Sequence, residues 1–581
     1  MKNYSKLLIA AAFACNAIAA SAIPAMRGVW RTLTLVDGTQ VRAELRGDEY
    51  GSFWMAADGS CYTPTADNST FYVKTDIKKV LEVSDVKRKA ANAYRAKRMQ
   101  AAGKPMRVGK PTGSFFGKKK GLIILVEYQD TKFGIGYNQK FVNGYVNGPL
   151  LKSHTTRGFV GTVKDYFLSQ SNGQFELDFD VVGPYTLKYD HAHYGQDNAS
   201  TGEKDVNRGS MILEAVKAAD ADVNFADYVW TDNGEVDQVY VLFAGHGQAD
   251  GSANTTIWPH ESALSQSEVG TPYTSNDVDA KGNKVKVDTY ACGPELLSTY
   301  RAGIGTLCHE FAHCLGYPDL YDTSYSNHFG MGNYDLMDAG SYNGNSFCPP
   351  NFSAYEKWFA GWINPIVLDK PATIKGLSAQ DVAYGQAFLV NNDAVDNEYY
   401  LIENRQKIVG VWDNEIPTSG MMITHVDYDE NVWSFNNVNS CIKFSVEYSN
   451  PAYKKYDSDH ERLTIICADN TRTSGSQKGD LYPYNGNNAL TDTSEPAATV
   501  YNVKTHMGKP ITNIKLNIDG TIDFDFMGGS ADNVITAIET IAPNGAKNDG
   551  KVYSIDGRYL GNDINAVGNG VFIQNGKKIV K

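Results

Sequence analysis

Apolar runs of strand length recur along the chain, and the spacing between them changes from one region to the next. Residues 23–86 read as short strands punctuated by turn pairs at Asp37-Gly38, Gly47-Asp48 and Asp58-Gly59. Gly121-Leu-Ile-Ile-Leu-Val-Glu127 is an uninterrupted apolar run that opens a new unit. Asp165-Tyr-Phe-Leu-Ser-Gln-Ser-Asn-Gly173 has the layout of a helix end with a glycine cap. Residues 206–219 have helical spacing, and 236–244 form a second buried-type strand. Strands alternating with helices predict an α/β or α+β unit here. From about residue 366 the helix signals fade. Phe388-Leu-Val, Tyr399-Tyr-Leu-Ile-Glu403, Met421-Met-Ile-Thr-His-Val426 and Leu463-Thr-Ile-Ile-Cys467 are strands between Asn/Asp/Gly turns, which fits an all-β sandwich over 366–530. Beyond the linker at Gly528-Gly-Ser530, residues 531–581 predict a small β unit.

Length and charge narrow the classes. At 581 residues the chain exceeds one hydrophobic core, so several domains are expected. A net charge of −12 argues against a nucleic-acid binder. One stretch runs the other way: from Lys87 to Lys120 there are twelve Lys or Arg and no acid. Such a segment suits a solvated helix or linker, and it is also where a trypsin-like or autolytic cut would fall. At the N-terminus Lys2 and Lys6 precede an apolar run, and Ala20-Ser21-Ala22 supplies small residues, the layout of a cleaved signal peptide. That predicts export, with no membrane span left after removal. An oxidising compartment would then let six of the seven remaining cysteines form three disulfides, with Cys61 as the odd one.

Candidate chemistry concentrates in Gly305-Thr-Leu-Cys-His-Glu-Phe-Ala-His-Cys-Leu-Gly316. On a helix His309 and His313 stack on one face and can offer nitrogens to one metal, while Glu310 can reach a water beside it. Leu307, Phe311 and Leu315 form an apolar stripe. Gly316 allows a left-handed exit and Pro318 forbids continuation, so Asp319 can turn back as a third ligand. Three protein ligands and one open position distinguish a catalytic zinc from a structural one. Glu356, on a helix before Gly361-Trp362, is the rival third ligand. Met337 sits in a tight turn downstream, and Tyr342 or Tyr321 could stabilise a developing oxyanion.

The pattern His309-Glu310-x-x-His313-x-x-Gly316-x-x-Asp319 with Met337 resembles the metzincin zinc proteases, with Asp at the usual third His. More closely, the chain resembles the immune inhibitor A-type metallopeptidases of family M-six. Asp165-Tyr-Phe, Ala244-Gly-His-Gly247, Ile257-Trp-Pro-His260, Tyr317-Pro-Asp-Leu-Tyr-Asp322, Glu403-Asn-Arg405 and Asp480-Leu-Tyr-Pro483 carry that likeness. The resemblance implies a metzincin-like catalytic domain at 109–365, behind a signal peptide at 1–22 and a propeptide with basic linker at 23–108. Tyr553-x-x-x-Gly557-Arg558 and Gly570-Val-Phe-Ile573 resemble a type-nine secretion sorting domain, which implies secretion machinery as a partner beside protein substrates. Within such a precursor Cys61 or Asp58 is the candidate side chain for blocking the zinc.

Weaker candidates remain. His246, His260 and His425 read as hydrogen-bonded structural residues before they read as ligands. Asp232-Asn-Gly-Glu-Val-Asp237 alternates oxygen ligands and admits Ca²⁺, although a solvated turn explains it equally. The competing class is a surface adhesin on a retained protease scaffold; Glu310 argues against it, since a binding module needs no general base.

Overall fold

The computed structural model describes residues 20–65, 70–101, 115–151, 159–198, 202–231, 233–325, 329–379, 386–408, 412–441 and 458–536, with short pieces between 552 and 580. Most of the expected signal peptide (1–19) and much of the basic linker (102–114) lie outside them. Strand β1 (Ala20–Ser21) leads into five strands, β2 (Trp30–Leu35), β3 (Gln40–Asp48), β4 (Gly51–Ala56), β5 (Cys61–Pro64) and β6 (Phe71–Thr75), which close into a barrel. The Asp-Gly pairs do what their chemistry predicts. Gly38 and Gly59 take φ of +84° and +82°, and Asp37 and Asp58 accept from the amides of Thr39 and Ser60. The first part of the basic run lies on helix α1 (Ile77–Ala101).

The next unit contains β7 (Gly117–Glu127), α2 (Gln139–Val146), α3 (Val163–Gln170), β8 (Phe175–Thr186), α4 (Arg208–Ala219), β9 (Val239–His246), β10 (His260–Ala263), β11 (Thr289–Leu297) and α5 (Gly305–Leu315). Its sheet runs β1-β10-β11-β9-β7-β8, parallel from β11 to β8. Period-two geometry sorts β7 between two cores. Leu122, Ile124 and Val126 join Met211, Ile212 and Val216 of α4 on one face. Ile123 and Leu125 join Leu307, Phe311 and Leu315 of α5 on the other. Helices on both faces of a mostly parallel sheet make this an α/β unit. The antiparallel addition of β1 to the edge of β10, with Ala20 opposite Ser262 and Ser21 opposite Glu261, was not foreseen.

After α6 (Ala354–Phe359) come two packed sheets. One contains Ile366–Val367, Ala387–Asn391, Glu398–Arg405, Gly420–Asp427 and Leu463–Ile465, and the other Ile511–Leu516, Ile522–Phe526, Ala372–Leu377 and Val534–Thr536. Phe388, Tyr400, Ile402, Met421 and Ile423 face the second sheet. Leu389, Tyr399, Leu401, Met422 and Val426 enter the same core as α5. Both faces of these strands are therefore buried, which is why they read as continuous apolar runs without alternation. The tail strands Val552–Ser554, Tyr559–Gly561, Val571–Gln574 and Lys577–Val580 form a separate sheet. No helix among the described residues is long and apolar enough to cross a membrane.

The expected disulfides are absent: none of the seven described cysteines is bridged. Cys308 and Cys314, two of the six cysteines expected to bridge, instead pack in the core beneath α5 with Cys467, and Cys292 packs in the opposite one. They serve as small buried hydrophobes. What ties the sandwich to the α/β unit is Arg405. Its Nε and Nη2 each reach Asp413 at 2.7 Å, and Nη2 also donates to the carbonyl of Asn351 at 3.0 Å. Both ionic partners are fully buried. Arg405→Met should therefore lower the unfolding free energy by about 3–5 kcal/mol, because Asp413 loses its counter-charge without regaining water. Denaturant titration of the variant against wild type would reveal it; a change below about 1 kcal/mol would show the pair to be dispensable.

Candidate metal centre

Helix α5 ends where the motif predicts. Gly316 takes φ +112° and its amide reaches back to the carbonyl of His313 at 2.9 Å. Gly305 starts the helix because a side chain there would lie 2.0 Å from the carbonyl oxygen of Ser341. The turn around Met337 can thus approach the helix closely. Its preceding carbonyl, on Leu336, accepts from His309 Nδ1 at 2.7 Å, and the Tyr317 carbonyl accepts from His313 Nδ1 at 2.8 Å. A carbonyl only accepts, so both Nδ1 atoms carry hydrogen, and in neutral rings both Nε2 atoms present lone pairs.

Those two Nε2 atoms lie 3.1 Å apart. Asp319 Oδ1 stands 3.3 Å from His309 Nε2 and 3.1 Å from His313 Nε2, and no hydrogen bond satisfies it. All three side chains are at most 1% exposed. Three electron-rich atoms turned toward one another in a fully buried pocket are favourable around a shared cation. Two imidazoles and one carboxylate with an open fourth position suit zinc. Among the described residues these three are the group able to hold a metal.

The remaining candidates separate cleanly. Glu310, on the same helix, keeps its carboxylate out of the cluster, and its Oε1 accepts from the amide of Ile23 at 2.8 Å. Burial pushes its pKa well up; the Ile23 amide works against that and the neighbouring Asp319 adds to it. Met337 is buried in the turn, and its carbonyl accepts from Leu320 at 2.8 Å, one residue after Asp319. Glu356 does not join the histidines. It closes the capping box of α6, accepting from Ser353 N at 2.7 Å and Ser353 Oγ at 2.9 Å. His260 is held by the Trp258 carbonyl and the Tyr290 hydroxyl, His246 by Asp250, and His425 by Glu398. Of the calcium candidate, residue 232 lies outside the described residues, and Asp237 Oδ2 is occupied by the amides of Trp230 and Thr231.

Neither expected lock reaches the centre. Asp58 is engaged with Ser60 in an exposed turn, and Cys61 is buried among Phe53 and Leu81 inside the N-terminal unit. The segment that does reach it is the stretch right after β1. Tyr321 Oη donates to the Ala22 carbonyl at 2.9 Å, Trp258 Nε1 to the Ile23 carbonyl at 2.9 Å, and Tyr342 Oη to the Pro24 carbonyl at 2.7 Å. The sequence singled out the two tyrosines but not Trp258.

Asn436 was also missed. Its Nδ2 donates to Asp319 Oδ2 at 2.6 Å, and its Oδ1 accepts from the Asp319 amide at 2.6 Å. It takes φ +54°, a conformation that asparagine tolerates better than most residues. Only its position beyond the sandwich strand Gly420–Asp427 brings it here, so no local pattern could have shown it.

Residues 118–362 match the family model described as Immune inhibitor A peptidase M6, catalytic domain. This segment is an M6 metallopeptidase domain. Immune inhibitor A from Bacillus thuringiensis subsp. alesti is 26% identical over 301 residues, covering 45% of this chain and 43% of that protein. Pre-pro-metalloprotease PrtV from Vibrio cholerae serotype O1 is 26% identical over 233 residues, 35% of this chain and 24% of that protein. The chain thus spans less than half the length of these curated relatives. The M6 domain contains His309, Glu310, His313 and Asp319, while Asn436 lies outside the matched residues.

Metal content should follow this division. Asp319→Ala should abolish zinc retention after dialysis, and Glu356→Gln should leave it intact. Asn436→Ala should weaken affinity about 10–100-fold, as loss of a ligand-orienting partner does. Competition against a chromogenic chelator would measure all three; retention by Asp319→Ala together with loss by Glu356→Gln would overturn the ligand assignment.

Proposed function

We propose that this chain is a secreted zinc-dependent endopeptidase made as a latent precursor. The observation that carries the reading is the buried His309–His313–Asp319 cluster with Glu310 beside it but not in it. Zinc bound there would supply Lewis acidity and an acidified water. His309, His313 and Asp319 would hold the ion in one geometry, fixed by the carbonyls of Leu336 and Tyr317 and by Asn436. Glu310 would take the proton of the attacking water and deliver it to the departing amine. An adhesin on the same scaffold would have no use for a carboxylate so placed.

Latency is the second part of the reading. Ile23 and Pro24 lie over Glu310 and the cleft tyrosines, and the barrel and α1 hold them there. The amide of Ala25 donates to the Gly47 carbonyl of β3 at 2.9 Å, which joins the plug to the barrel. We assign residues 1–22 to export, on the Lys2, Lys6, apolar-run and Ala20-Ser21-Ala22 layout, and 531–581 to sorting by the secretion machinery, on the sequence resemblance. Residues 20–22 would leave with the leader, so the plug of the exported precursor begins at Ile23.

Glu310→Ala in the activated protein should lower casein hydrolysis by about 10²–10⁴-fold while about one zinc per chain is retained. Joint loss of zinc and activity would mean that Glu310 is a ligand. For latency, chains produced without the leader should differ by their first residues. One beginning at Met26 should cleave a peptide substrate before any cut in the linker, and one that keeps residues 23–25 should not. Precursors carrying Cys61→Ala or Asp58→Ala should stay silent. Activity in either would return the lock to a side chain.

A further inference from the structure

The contacts of residues 20–25 form a series rather than a scatter. β1 pairs antiparallel with β10, the edge of the catalytic sheet, through Ala20 and Ser21. The next carbonyl, of Ala22, receives Tyr321 Oη, and the next amide, of Ile23, donates to Glu310 Oε1. The following carbonyls, of Ile23 and Pro24, receive Trp258 Nε1 and Tyr342 Oη. Met26 then donates to the carbonyl of Ala249 at 2.9 Å. An extended chain therefore crosses the cleft with one peptide unit, Ala22–Ile23, straddling the candidate general base. Its oxygen faces a hydroxyl donor and its nitrogen faces a carboxylate. That is the arrangement hydrolysis of a peptide requires, with a donor where negative charge develops on oxygen and a base beside the departing nitrogen.

Resting on the peptidase reading, we propose that residues 20–25, in the chain that still carries its leader, occupy the cleft in substrate register and so show how the cleft holds an extended peptide. Tyr321 is then the oxyanion donor, and Trp258 and Tyr342 are the donors that grip the first and second residues after the cut. As the water oxygen bonds to the carbonyl carbon, the C–N bond breaks, and Glu310 passes a water proton to the nitrogen. The substrate class follows from the segment's own side chains. Ala22 and Ile23 are fully buried, in one cluster with Ala249 and Trp258, so the cleft takes a small residue before the cut and a branched aliphatic one after it. Pro24 has no amide hydrogen to give, so the second position after the cut tolerates proline. This separates the two tyrosines, which the sequence left as alternatives. Tyr321 acts on the reacting carbonyl, and Tyr342 acts two residues downstream.

The test uses full-length protein, zinc-loaded and activated by limited proteolysis, with three blocked peptides. The first is Ser-Ala-Ile-Pro-Ala-amide. The second is Ser-Ala-Ile-amide, which lacks the carbonyl for Tyr342. The third is Ser-Ala-isobutylamide, which also lacks the carbonyl for Trp258. Wild type should cut after Ala, with kcat/KM falling about fivefold at each truncation, the worth of one neutral hydrogen bond. Tyr321→Phe should lower kcat about 10²-fold on every peptide with KM nearly unchanged. Tyr342→Phe should raise KM about fivefold on the first peptide and not on the second. Trp258→Phe should be matched to the second and third in the same way. Should Trp258→Phe fail to fold, the wild-type truncation series still decides its role. The assignment is overturned if the variants lose equally on all three peptides, if truncation costs wild type nothing, or if Tyr342→Phe has the kcat effect expected of Tyr321→Phe. Wild type that cleaves casein but none of these peptides overturns the register alone, and wild type that cleaves nothing overturns the peptidase reading with it.

Discussion

The structure is organised around a local arrangement that is unfavourable without a cation: two imidazole lone pairs and a carboxylate oxygen turned toward one another in a fully buried pocket. A protein can keep such a cluster only by leaving its members no alternative. Each imidazole is oriented by a carbonyl acting on its other nitrogen, and the carboxylate is oriented by an asparagine side chain. These orienting groups come from three places. The Met337 turn supplies one, the chain just past Gly316 another, and the segment beyond the sandwich strand Gly420–Asp427 the third. Hence the catalytic helix, the turn beneath it and the following domain must be assembled together before the centre has its geometry.

That requirement explains the single core that runs through both units. If α5 and the sandwich had separate cores, the Asn436 contact would depend on a mobile interface. Instead Leu401, Met422 and Val426 share one cluster with Phe311 and Leu315, and Arg405 adds a buried hydrogen bond to the Asn351 carbonyl on the chain entering α6. The N-terminal unit docks onto the same assembly. Asn92 of α1 donates to the carbonyl of Phe435 at 2.6 Å, immediately before Asn436, and Arg88 is paired with Asp48 in a buried contact of 2.6 Å. The N-terminal unit therefore touches the centre by two routes, over Glu310 through Ile23 and behind Asp319 through the 435–436 corner.

How much of this was legible follows from the range of the signals. The zinc helix was readable because His309, Glu310, His313, Gly316 and Asp319 interact within one helix and its exit turn. The sheet strands of the α/β unit and the sandwich were readable because apolar runs of that length have few other uses. The edge strand at Ala20–Ser21 was hidden inside what reads as a cleavage site, and a two-residue strand has no periodicity. Asn436 acts across 117 residues, on Asp319, and Trp258 across 235, on the Ile23 carbonyl, in contacts that only tertiary structure creates. Counting cysteines misled in two ways. An even number after removal of residues 23–108 suggested bridges where the thiols pack as hydrophobes, and the lone Cys61 suggested a thiolate lock, whereas the group that contacts Glu310 is the Ile23 amide and Cys61 packs with Phe53 and Leu81.

A backbone plug has a physical advantage over a side-chain lock. Its contacts are neutral hydrogen bonds, each worth about 0.5–1.5 kcal/mol, too weak to hold a free peptide in the cleft. Tethered through the barrel and α1, the same segment acts at an effective concentration in the millimolar range, so weak contacts suffice. On the proposed reading a cut in the basic stretch would leave the plug's hydrogen bonds in place and end the tether, after which dilution would remove the plug. The buried donors of Tyr321, Trp258 and Tyr342 are then left without acceptors, and buried donors without partners are costly. The ligand that best restores them is another extended peptide. On this reading latency and substrate binding draw on one set of donors, and the position of the cut determines which peptide they hold.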